Sequence, residues 1–131
     1  MEIELNKLVQ CSAPNIFFNR IIKLVLPAAR WEVSIALVGD AEIKRLNRTY
    51  RAKNRVTDVL SFKYAPYQGE IVISYPQVCR QAKALKIKPQ QELARLLIHG
   101  ALHLRGLRDE TAMQAAAMQR IENKIIKDVK F

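Results

Sequence analysis

Ile3 and Leu5 alternate with Glu2, Glu4 and Asn6, the two-residue period of a strand with one buried face. Pro14 suits a first helical turn, and Ile16, Phe17, Ile21, Leu24 and Val25 then recur at helical spacing until Pro27 ends the pattern. Trp31 to Val38 starts as an alternation and finishes apolar, which predicts a second strand. Gly39-Asp40 breaks it, and Asp40 is a good N-cap for a helix carrying Ile43, Leu46 and Asn47. The polar, basic run Thr49-Tyr50-Arg51-Ala52-Lys53-Asn54-Arg55 reads as a loop. Val56 to Phe62 is β-branched and apolar, a third strand, and Glu70 to Ser74 is a fourth. The short connection from Lys63 to Gln68 favours an antiparallel pairing of these two.

Ser74 can cap a helix with Pro76 in its first turn, running to about Leu85. Pro89 opens another helix through Leu93, Leu96, Leu97, His99, Leu102 and His103, and Gly106 stops it. Thr111 followed by Gln114 has the form of a capping box. The helix it starts has Met113, Ala117, Met118, Ile121 and Ile125 as its expected buried stripe. The order β-α-β-α-β-β-α-α-α predicts an α+β fold, a four-stranded mixed sheet packed with about five helices. At 131 residues and half apolar, the chain fits one domain over 1–131 with a core of its own.

Composition narrows the setting. The apolar runs are too short to span a bilayer, and the acidic, alternating N-terminus is unlike a basic signal peptide. Cys11 and Cys79 have no metal or redox spacing, so the expected compartment is the cytoplasm. The net charge of +10 is unevenly placed: residues 1–40 are neutral, with four basic and four acidic side chains, and the whole excess lies in 41–131. A polyanion partner, most simply nucleic acid, follows from that distribution.

Both histidines, His99 and His103, fall in the charged part. Their i, i+4 spacing stacks two imidazoles on one helix face. A helix ending at Gly106 lets the chain return and bring Asp109 toward them. Two histidines and one carboxylate make a three-ligand metal site with an open position, placed at the end of a helix. The spacing matches that of zinc proteases, but those carry a glutamate base directly after the first histidine. Here that position is Gly100, which disfavours peptide hydrolysis by that route.

The run His99-Gly100-Ala101-Leu102-His103-Leu104-Arg105-Gly106 resembles the His-Gly-x-Leu-His-Leu-x-Gly signature of the YbeY endoribonucleases, also called rRNA maturation factors. Leu46 to Arg51 followed by Thr57 to Phe62 resembles that family's second motif, and Gly69 to Ser74 its third, where Asp is more usual than Glu70. The resemblance implies a metal-dependent endoribonuclease cutting single-stranded RNA, with a role in 16S rRNA 3′-end maturation and ribosome quality control on the small ribosomal subunit. It implies one Zn2+ held by His99, His103 and Asp109. The family usually has His at the third position, preceded by Asp, whereas this chain has Arg108-Asp109. A carboxylate is an accepted zinc ligand, and its hardness admits other divalent metals.

Arg51 matches the family's functionally important arginine, and a guanidinium there can hold a phosphodiester. Glu70 is the nearest motif acid for a general base. Arg48, Lys53, Arg55, Arg105 and Arg108 are expected to grip the sugar-phosphate chain without reading bases. Tyr50 is open between stacking a base and structural burial, and Thr57 and Asp58 are expected to pin the entry to the third strand. Two other readings stand beside the nuclease: a metal-dependent hydrolase of another substrate such as a peptide, and a ribosome-associated RNA-binding protein with a structural or absent metal.

Overall fold

The structure, a computed structural model, describes residues 1–131. Its elements are β1 (Glu2–Lys7), α1 (Asn15–Val25), β2 (Glu32–Val38), α2 (Asp40–Arg51), β3 (Val59–Ala65), β4 (Gln68–Ser74), α3 (Tyr75–Leu85), α4 (Pro89–Leu104) and α5 (Ala112–Ile126). The strands form one mixed sheet in the order β1-β2-β4-β3, with β1, β2 and β4 parallel and β3 antiparallel on the edge. The expected α+β architecture of four strands and five helices is what the chain adopts.

Strand alternation sorts the sheet into two faces. Val33, Ile35, Leu37, Ile71 and Ile73 join the main core with α1 and the buried run of α4 from Leu93 to Leu104. Ala36, Val38, Leu60, Phe62 and Val72 face the other way, onto Ile43 and Leu46 of α2. Two glycines let α4 lie close on the sheet: a Cβ on Gly100 would stand 2.9 Å from Ile71 Cγ2 and 3.1 Å from Ser61 Oγ, and one on Gly69 would stand 2.6 Å from Leu104 Cδ2. Separations that short force the neighbours to move. Ser61 Oγ uses the closeness to donate to the Gly100 carbonyl at 3.1 Å.

Several local expectations are corrected. The second helix does not stop before Thr49: it continues through Tyr50 and Arg51, and ends where Ala52 turns left-handed at φ 56°. Buried Asn47 supports this ending, its side-chain amide donating to the Arg55 carbonyl at 3.0 Å. Asp40 is the first residue of that helix rather than its cap, and its carboxylate accepts instead from Ser74 Oγ and Arg80. The hairpin is tighter than expected, since β3 runs on to Ala65 and only Pro66 and Tyr67 separate it from β4. In α1, Phe18 and Ile22 are buried in place of Ile16 and Leu24. In α5, Met113 is 82% exposed and Ile121 lies at the surface, while Met118 and Glu122 turn inward. No helix is long and apolar enough to cross a membrane.

Candidate metal centre

The end of α4 is built as a Schellman turn: Gly106 N–H donates to the His103 carbonyl at 2.9 Å and Leu107 N–H to the Leu102 carbonyl at 3.1 Å. Gly106 sits at φ +102°, a conformation that favours glycine. The turn sends the chain back over the last two turns of the helix. Leu107 presents its carbonyl to His103 Nδ1 at 3.0 Å, and Asp109 presents Oδ2 to His99 Nε2 and His103 Nε2, each at 3.4 Å. The two Nε2 atoms are 3.1 Å apart. Thr111 makes the expected capping box with Gln114 at the start of α5, leaving Asp109 out of that role.

Each imidazole is therefore held at Nδ1 and open at Nε2. His103 Nδ1–H donates to the Leu107 carbonyl, and His99 Nδ1 bonds Oε1 of Glu122, a buried carboxylate on α5. Burial pulls the His99 imidazole down, but the hydrogen bond and charge of Glu122, aided by Asp109 and Asp58, outweigh it and raise His99 above the usual histidine value. Two imidazole Nε2 atoms and a carboxylate oxygen converging on one point are the donor set of a divalent transition metal. The residues present fit such an ion.

The triad opens into a cleft of about 500 Å3 whose walls include Arg51, Thr57, Asp58, Ser61, Lys63 and Arg108. Arg51, from the last turn of α2, donates to the Ser61 carbonyl at 2.6 Å and lies over the Phe62 ring, 5.5 Å from its centroid. Tyr50 meets the same ring edge-on at 5.5 Å and is 64% exposed, so it is not structurally buried. Asp58 does pin the strand entry, Oδ1 accepting from Val59 N–H at 2.8 Å. Gln81 also reaches Asp58, at 3.4 Å, while bonding buried Glu92 at 2.6 Å; Glu92 in turn pairs with Arg95.

Not every expected residue comes to the cleft. Glu70 lies on β4 between Gly69 and Ile71, which face α4, so alternation turns it to the opposite side of the sheet. There it shares a depression with Glu2, Glu4 and Glu32 and accepts from the Tyr64 hydroxyl at 3.0 Å. Arg48, Lys53, Arg55 and Arg105 are exposed outside the cleft wall. Glu122 was absent from the expected site because the apolar spacing of α5 points Met113 and Ile121, not an acid, toward the core.

The protein-family model described as endoribonuclease YbeY matches residues 5–130. A relative from Thermodesulfovibrio yellowstonii, named endoribonuclease YbeY, is 42% identical over 75% of this chain and 67% of its own. One of the same name from Borreliella burgdorferi is 32% identical over 88% of this chain and 86% of its own. A solution structure of a Thermotoga maritima protein superposes with a TM-score of 0.73 at 26% identity, covering 97% of this chain and 88% of that one. With the signature motif supplying the two histidines of the convergent triad and the match running nearly from end to end, the chain belongs to the endoribonuclease YbeY family.

Proposed function

We propose that the protein is a metal-dependent endoribonuclease of single-stranded RNA, acting as one domain over residues 1–131. The observation that carries this is the convergence of His99 Nε2, His103 Nε2 and Asp109 Oδ2 in the cleft that Arg51 also lines. His99, His103 and Asp109 hold the ion, with Zn2+ the first expectation and a harder divalent metal admitted by the carboxylate. A bound zinc ion supplies Lewis acidity and lowers the pKa of a water it holds toward about 7.

The chain's own part is positioning and charge. The Ser61 carbonyl and the Phe62 ring hold the Arg51 guanidinium. One donor is engaged, and the others of its fork are free for phosphate oxygens. A fixed cation aimed at a phosphodiester stabilises the charge that builds on it in the transition state without reorganising. Lys63 and Arg108 extend that field along the cleft, while Arg48, Lys53, Arg55 and Arg105 attract the RNA from outside it. Because Glu70 faces away, the carboxyl groups available to receive a proton within the cleft, apart from Asp109, are Asp58 and Glu110.

Peptide hydrolysis is the weaker reading for a structural reason. A glutamate base after the first histidine would start at Gly100, whose Cβ position is already crowded by Ile71 and Ser61. Family membership supports a role in 16S rRNA 3′-end maturation and ribosome quality control, with the small ribosomal subunit as partner and a cytoplasmic setting. The test is a comparison of labelled substrates with purified, zinc-loaded protein. Cleavage of single-stranded RNA with duplex RNA and a casein peptide left intact is the expected result. RNA binding that never leads to cleavage with any divalent metal would overturn the assignment in favour of a binding protein.

A further inference from the structure

Helix α5 sets an acid into an apolar face: Met118 lies in the main core and Ile125 and Ile126 pack against it, with Glu122 between them. Met113 and Ile121 are two of the larger apolar side chains in its sequence, yet Met113 is 82% exposed and Ile121 37% exposed. The helix is turned so that Met118 and Glu122, one helical turn apart, point inward, and Glu122 is only 6% exposed. Removing a carboxylate from water is costly unless it is paired. The other buried acid, Glu92, has both Arg95 and Gln81 as partners. Glu122 has a single side-chain hydrogen-bond partner, Nδ1 of His99.

We propose that Glu122 is a positioning residue for the metal centre, fixing the His99 ring so that Nδ1 carries the proton and Nε2 faces the site. The inference rests on the metal-binding reading given above. A carboxylate behind a histidine ligand sets the ring's tautomer and orientation and raises the basicity of the coordinating nitrogen. His103 receives the neutral counterpart, the Leu107 carbonyl at 3.0 Å. The two rings stand at 81° to each other, so each needs its own anchor. Met118, Ile125 and Ile126 account for the inward face of α5, and the His99 contact accounts for the acid set into it.

A packing role and a positioning role predict opposite outcomes for an apolar replacement. Glu122→Met fills the same space, so the metal-free variant should keep the fold, checked by circular dichroism and a cooperative thermal melt. Its affinity for Co2+, followed by the visible absorption of the bound ion and checked for Zn2+ by competition, should fall about 10- to 100-fold. Glu122→Gln, whose amide oxygen still accepts from Nδ1–H, should lie between. Co2+ affinity of Glu122→Met within twofold of wild type, with binding abolished by His99→Ala, would overturn the inference and leave the metal site standing. A wild-type protein that takes up neither Co2+ nor Zn2+ would overturn the inference together with the metal-dependent reading.

Discussion

At the scale of single residues, the centre depends on which atom of each side chain faces the cleft. Both histidines offer Nε2 because their Nδ1 atoms are engaged, and Asp109 reaches both at 3.4 Å. His99, His103 and Asp109 were legible from spacing alone, because an i, i+4 pair and a helix-stopping glycine are local features. Glu122 was not, since its partner is 23 residues away and it sits in a helix whose inward positions otherwise read as apolar. Replacing Asp109 by Ala should weaken Zn2+ binding by at least about tenfold, a loss of roughly 1.4 kcal/mol or more, read by competition with a chromophoric chelator. Arg51→Ala should leave metal content unchanged while slowing RNA cleavage about 10²- to 10³-fold, the usual cost of one preorganised charge-stabilising donor. Equal cleavage rates would remove Arg51 from the chemistry.

At the scale of elements, α4 is the piece that carries the site, and its closeness to the sheet is set by Gly69 and Gly100. In Gly100→Ala the added methyl meets Ile71 and Ser61 in a filled interface. The expected cost is about 1–3 kcal/mol, measured by urea unfolding, and a stability equal to wild type would show that the layers separate freely. The hairpin and the end of α2 depart from the sequence pattern for one shared reason. Polar residues near Arg51 and Lys63 look like loop, yet α2 continues to Arg51 and β3 pairs with β4 as far as Ala65, through an irregularity after Lys63. That extension bears on the site, because it puts Arg51 on the last turn of a helix rather than in a loop.

A second polar network lies behind the centre, where Arg95 and Gln81 hold Glu92. Burial pushes the Glu92 carboxyl up, but hydrogen bonds from Arg95 and Gln81 outweigh it and keep it below its ordinary value of 4.5. A carboxyl depressed in the folded state adds stability that is present above about pH 4.5 and is lost as pH falls through the folded value. Glu92→Gln should therefore be less stable than wild type at pH 7, by about 2 kcal/mol for the charged hydrogen bonds removed. It should also lose less stability than wild type between pH 5 and pH 3. Parallel stability–pH curves for the two proteins would contradict this.

Over the whole molecule, the charge pattern separates two surfaces. Glu2, Glu4, Glu32 and Glu70 share one depression of the sheet, away from the cleft bearing Arg51, Lys63 and Arg108. The sequence placed its basic excess in residues 41–131, and the fold directs part of that excess to the cleft of His99, His103 and Asp109. It could not reveal that Glu70 belongs to the acidic side, because that depends on which face of β4 meets α4. The fold class was legible because the alternating and helical periods along the chain correspond to the elements formed, even where their ends shift. The most direct test of the account is cleavage of a labelled single-stranded RNA by protein stripped of metal with a chelator, then reloaded with Zn2+, beside His103→Ala. Cleavage lost on stripping, restored on reloading and absent from His103→Ala is the predicted result; cleavage that persists in the stripped protein or in His103→Ala would contradict it.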